Sequence, residues 1–147
     1  MRAQSLAVLV AVAIVAVPLA ASAEPWALMY PPLAAGSTTP NQSAPLPEWT
    51  AWLAFNSQSV CEEQKALWQM VVKAETEESI HTAGRRAVFS QGIPPASADL
   101  DVLEDAARRW VRDTGAKVRA DKGVMNQILV AQCVSGTDPR LGPVPSR

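Results

Sequence analysis

The chain has 147 residues, 48% of them hydrophobic, with 13 Lys and Arg against 14 Asp and Glu and a formal net charge of −1. That length admits one domain with a tail. The balanced charge offers no basic excess for nucleic acid, and the composition excludes a collagen-like repeat, a multi-span membrane protein and a strongly charged disordered chain.

Hydrophobicity is concentrated at the start. Met1 and Arg2 precede an unbroken apolar run from Leu6 to Val17, Pro18 interrupts it, and Ala21-Ser22-Ala23 supplies small side chains. This is the layout of a secretory signal peptide, with cleavage expected between Ala23 and Glu24. The run is short for a bilayer span, which needs about 20 apolar residues. Residues 1–23 are therefore read as a removable leader, with an uncleaved N-terminal anchor as the alternative, and no stable membrane span is expected after cleavage. Residues 24–136 form the expected single domain. Residues 137–147, with Pro139, Gly142, Pro143 and Pro145, form a tail that continues neither helix nor strand.

Glu24 to Tyr30 is a short apolar stretch stopped by Pro31-Pro32, and reads as a buried strand. Residues 33–48 gather Gly, Ser, Thr, Pro and Asn and read as a surface loop. Trp49 to Phe55 alternates, with Trp49, Ala51, Leu53 and Phe55 on one face, which predicts a second strand antiparallel to the first. Ser59 with Glu62 fits a capping box, Ser57 being the rival cap. Val60, Cys61, Leu67, Trp68, Val71 and Val72 then form one apolar stripe of a long helix. The stripe fades after Lys73 into Glu75, Glu77 and Glu78, so the helix is expected to end there, fraying toward Arg86.

Pro94-Pro95 is a definite break. Ser97 or Asp99 caps a shorter helix that carries Leu100, Leu103, Ala107 and Trp110, with i,i+4 pairs Glu104–Arg108 and Asp105–Arg109 opposite and Gly115 as its C′ residue. Residues 116–123 read as a polar connection. Residues 124–134 are ambiguous between strand and helix, and their β-branched content favours a strand over 128–134. The sum is an α+β fold: a small antiparallel sheet of about three strands packed on one long and one shorter helix.

Cys61 and Cys133 are the two cysteines, 72 residues apart. That separation suits neither C-x-x-C redox chemistry nor a zinc knuckle. In an oxidising compartment a disulfide is the simplest reading, and two buried free thiols are the alternative.

Four motifs then occur in order: WALMYPP at 26–32, APLPEW at 44–49, FNSQSVCEE at 55–63 and AQCVSGTDPR at 131–140. Together they resemble an uncharacterised family of small exported bacterial proteins. The usual pattern there is W-x-L-M-x-P-P, A-P-L-x-x-W, F-D-S-x-x-x-C-E and C-[IV]-x-x-D-D-P-R-L. The resemblance implies a shared fold and a Cys61–Cys133 pairing, and it carries no activity. The chain departs from the pattern at Asn56 and Thr137, where Asp is usual, so any ligand or cap role of those carboxylates is weakened here.

His81 is the single histidine. A nucleophile pair needs it beside Cys61, Cys133 or a serine, and helical geometry keeps it far from Ser57 and Ser59. A solvent-facing histidine is expected. Zinc held by Cys61, His81 and Cys133 has no recognised ligand spacing, so no metal, cofactor or catalytic residue is assigned. The acids fall at helix starts and on helix faces, and they offset Arg85-Arg86 and Arg108-Arg109. Of the five tryptophans, Trp26, Trp49, Trp68 and Trp110 read as core. Trp52 points away from the Trp49/Leu53/Phe55 face, either packing a second layer or lying exposed as a sugar or partner contact.

The function expected is that of a non-enzymatic exported domain, periplasmic or secreted. It would bind an unknown protein or envelope partner. The alternatives are a small secreted hydrolase built on His81 and a carbohydrate or peptidoglycan module using Trp52.

Overall fold

The structure, a computed structural model, describes residues 25–90 and 92–142. The expected leader and the Ala23–Glu24 cleavage point lie outside the described residues. Three strands, β1 (Trp26–Tyr30), β2 (Thr50–Phe55) and β3 (Gln132–Ser135), form an antiparallel sheet in the order β2-β1-β3. Among the described residues four helices accompany it: α1 (Gln58–Lys73), α2 (Glu77–Phe89), α3 (Leu100–Ala120) and α4 (Lys122–Leu129). The α+β class, the antiparallel sheet and the Cys61–Cys133 disulfide, with Cα atoms 5.9 Å apart, are as the sequence predicts. The helical layer is richer than one long and one shorter helix.

β1 is the central strand, covered on both faces. Trp26, Leu28 and Tyr30 face the helices, with Leu53 and Phe55 of β2 and Cys133 of β3 beside them and Cys61 of α1 above. Met29 and Val134 face the other way, onto Ala44, Leu46 and Trp49 of the long β1–β2 connection. That connection is more built than a plain loop. It contains a bridge between Leu33 and Pro40 and a 3₁₀ turn, Leu46–Glu48, and the Trp49 ring N–H donates to the Ala44 carbonyl at 2.9 Å.

A bulge in β2 corrects the expected face of that strand. Leu28 pairs with Leu53 but Met29 pairs with Ala51, so Trp52 is the extra residue. An extra residue reverses the alternation on one side of it. Trp49 thus joins the outer cluster around Met29, while Leu53 and Phe55 join the helix side, together with Trp52.

Ser57, not Ser59, caps α1, its hydroxyl accepting from the Val60 N–H at 3.3 Å. The expected fraying after Lys73 is instead a turn and a new helix. Thr76 and Ser79 close a capping box, which places Glu77 and Glu78 in the first turn of α2. Carboxylates are favourable there because they face the positive end of the helix dipole. Leu67, Val71 and Ala74 pack against Ile80, Ala83 and Val111 to form the helical core.

Asp99 caps α3, accepting from the Val102 N–H. Gly115 is not its end. It is buried mid-helix where α3 meets α1, and α3 runs on to Ala120, absorbing most of the expected polar connection. Asp121 then caps α4, so residues 122–129 are helical and β3 begins only at Gln132. After β3, Asp138 caps a 3₁₀ turn, Pro139–Leu141, and Leu141 packs against the Met29 cluster.

Candidate functional site

Four aromatic rings from four elements meet between sheet and helices. Tyr30 ends β1 and stands edge-on to Trp52, with ring centroids 6.5 Å apart. Trp52 lies 4.5 Å from Trp68 of α1, and Trp68 lies 5.6 Å from Trp110 of α3 in a T-shaped pair. The β2 bulge makes this row, since without it the Trp52 ring would project to the other face. Tilted and edge-to-face contacts of this kind add to what burial alone supplies. Trp110, 38% exposed, is the outer end of the row.

Trp68 forms a wall of two hollows. On one side is an open groove of about 550 Å³, lined by Leu53, Leu67, Val88, Leu103 and Trp110, with Gln64 and Ser90 as its polar members. On the other side is a more enclosed cavity of about 180 Å³. Tyr30 and Trp52 share its wall with Val118 of α3 and Val124 and Ile128 of α4, and Thr114 and Gln127 contribute polar groups. Gln127 is pinned, its side-chain N–H donating to the Pro31 carbonyl at 2.8 Å. Both hollows are mainly apolar, the usual character of a small-molecule site.

The residues considered for catalysis are not brought together. His81 Nε2 lies 3.9 Å from a Glu104 carboxylate oxygen, and Arg85 approaches the other oxygen at 3.4 Å. The hollow around His81 is lined by Glu63, Thr82, Arg85, Arg86 and Phe89, without serine or cysteine, and the Thr82 hydroxyl already donates to the Glu78 carbonyl. Ser57 and Ser59 lie 3.2 Å from each other at the α1 cap, and both cysteines are in the disulfide. Among the described residues His81 thus has a carboxylate nearby, beyond hydrogen-bond distance, and no serine or cysteine lines its hollow.

The charged residues make a different set of pairs from the i,i+4 set expected. Asp105 bonds Arg108, Glu77 takes Arg112 across helices at 2.9 Å, and Glu104 turns to His81 and Arg85. Among the described residues no group of three or more His, Cys, Asp or Glu is placed to hold a metal ion. Among them, too, no helix is long and apolar enough to cross a membrane.

No protein-family model, curated protein or solved structure matches the chain.

The site rests on residues that sequence reasoning treated as filling. Trp68 and Trp110 read as core because they fall on apolar helix stripes, yet each lines a hollow. Tyr30, Thr114 and Gln127 carried no signal. Thr114 is a single polar residue at the expected end of the second helix, and Gln127 lies in the stretch left ambiguous between strand and helix. The one available clue was five tryptophans in so short a chain.

Proposed function

We propose that this is an exported, non-enzymatic binding domain, acting in the periplasm or outside the cell, that receives a small apolar guest beside the tryptophan row. The single observation that carries the reading is that Trp68 walls both an open groove and a smaller, less open cavity, each mainly apolar. Export is supported by the leader-like Met1–Ala23 layout, and by a disulfide of the kind that persists in oxidising compartments. The ordered motifs support membership of the small exported bacterial proteins that the chain resembles. In this reading Trp52 is a wall of the guest cavity rather than a platform for sugar, because Tyr30 and Trp68 flank its ring.

The test is a titration of the folded protein with the neutral dye N-phenyl-1-naphthylamine, following energy transfer from tryptophan. Saturable binding is expected, weakened at least tenfold when Leu103→Asp places a charge in the groove. A flat titration would remove the reading.

A further inference from the structure

We infer that the smaller, half-open cavity between the Tyr30–Trp52–Trp68 rings and helices α3 and α4 is a binding site for an uncharged one- or two-ring aromatic molecule bearing a single hydroxyl or N–H. This rests on the binding reading above and names the guest of one of its two hollows.

Size sets the first limit. The cavity has about 180 Å³, and an apolar cavity of roughly 150 Å³ is known to admit benzene. A phenol fits, and so does a fused pair of rings as small as indole. A long acyl chain or a sugar oligomer does not.

The walls set the second. Tyr30 and Trp52 present ring edges and faces at 6.5 Å from each other, and Val118, Val124 and Ile128 close the opposite side. A flat aromatic guest gains offset or edge-to-face contact against such rings beyond its area burial. Among the described residues no Asp, Glu, Lys, Arg or His lines the cavity. A carboxylate or ammonium guest would lose its hydration with no partner to offset it, so the guest is neutral.

Two polar groups then set the pose. Because the Gln127 side-chain nitrogen is held by the Pro31 carbonyl, its oxygen remains as the acceptor. The Thr114 hydroxyl makes no hydrogen bond within the described residues, and neither residue holds a buried polar atom without a partner, so both groups stay reachable. One hydroxyl or N–H on the guest satisfies Gln127, and Thr114 discriminates further. Pairing one polar group against an otherwise apolar wall is how small cavities gain orientation. Val124, 41% exposed, marks the mouth on the α4 side.

The experiment is calorimetric titration of the full folded protein with phenol, indole, toluene and benzoate, with amide chemical-shift mapping. Phenol or indole is expected to saturate, with toluene weaker and benzoate at least tenfold weaker, and shifts centred on Val118, Val124 and Ile128. Val118→Phe, which fills the cavity, should lower phenol affinity at least tenfold. Should that variant fail to fold, Thr114→Val should bring phenol and toluene closer together while leaving toluene unchanged. Shifts centred instead on Val88 and Leu103, or phenol affinity untouched by both variants, would overturn the assignment. If the naphthylamine dye saturates but phenol and indole do not, the cavity assignment fails and the groove remains. If none binds, both fail.

Discussion

Gly115 of α3 lies so near the end of α1 that a Cβ built on it would stand 2.7 Å from the Val71 carbonyl oxygen. In an open helix Gly→Ala is favourable by about 1 kcal/mol. Here the neighbour is backbone, which cannot step aside as a flexible side chain does. Gly115→Ala is expected to destabilise the fold by about 1–3 kcal/mol, the range for forcing volume into packed structure, read as a lower urea midpoint.

The same crossing holds a second device. Arg119, one turn beyond Gly115, donates to the Val72 carbonyl at 3.1 Å and the Ala74 carbonyl at 3.0 Å, reaching toward Val71 as well. It thereby satisfies carbonyls that the end of α1 leaves without intrahelical partners, and places a cation at the negative end of its dipole. Arg119→Leu should cost about 1–3 kcal/mol, as expected when hydrogen bonds to a charged group are lost. Arg119→Lys should recover only part of that: all three contacts come from the single nitrogen Nη1, which an ammonium can imitate, but the lysine side chain is shorter. Urea unfolding of the pair against the parent decides it.

These two residues also show what was legible in the sequence. β1, β2, the body of α1 and the start of α3 were readable because apolar spacing and proline stops act locally. Gly115 was misread because a glycine late in a helix has the same local signature whether it ends the helix or lets another helix approach. The α2 start was missed because its capping box is Thr76 with Ser79, and its acids resemble a dissolving end. The β2 bulge is set by pairing with β1 and leaves no mark in the alternation of Trp49 to Phe55. The aromatic row inherits that blindness, since only the bulge brings Trp52 to Trp68.

The Cys61–Cys133 bond closes a 72-residue separation between the first turn of α1 and β3. On the chain-entropy account, releasing it stabilises the unfolded chain by about 4 kcal/mol. Against a typical domain stability of about 5–15 kcal/mol this is a large share. The double variant Cys61→Ala/Cys133→Ala should therefore lose most of its margin, seen as a thermal midpoint lower by well over 10 °C. An unchanged midpoint would show that core packing alone holds the sheet to α1.

Asp138 gives a pH prediction with a definite sign. The Arg140 guanidinium and backbone N–H both donate to its carboxylate, holding its pKa down to about 2 from an ordinary value of 3.8. A carboxylate whose pKa is lowered by folding stabilises the fold above its unfolded value, and that contribution fades as pH falls through 3.8 toward 2. Carboxyl-carbon shifts should show Asp138 titrating near 2, and Arg140→Ala should return the midpoint toward 3.8. The 3₁₀ turn should persist in that variant, since Asp138 still caps it through the backbone N–H of residue 140.

Trp52 tests whether the row is held by shape or by any ring of moderate size. It is half-buried, with Tyr30 on one side and Trp68 at 4.5 Å on the other. Trp52→Ala removes the link between sheet and helix rings and merges cavity space into the gap, a loss of about 2–4 kcal/mol for a side chain short of full burial. Trp52→Phe keeps an aromatic surface and should cost under about 1.5 kcal/mol, as a smaller but similar shape. Indoles this close couple electronically, so the parent should show an exciton couplet in its circular dichroism, which both variants should weaken but not abolish because the Trp68–Trp110 pair remains. The two readouts separate the causes. If Trp52→Phe weakens the couplet but keeps its urea midpoint, packing rather than the particular indole pair holds β2 against α1. If its midpoint falls as far as that of Trp52→Ala, the bulge itself depends on the full width of the tryptophan ring.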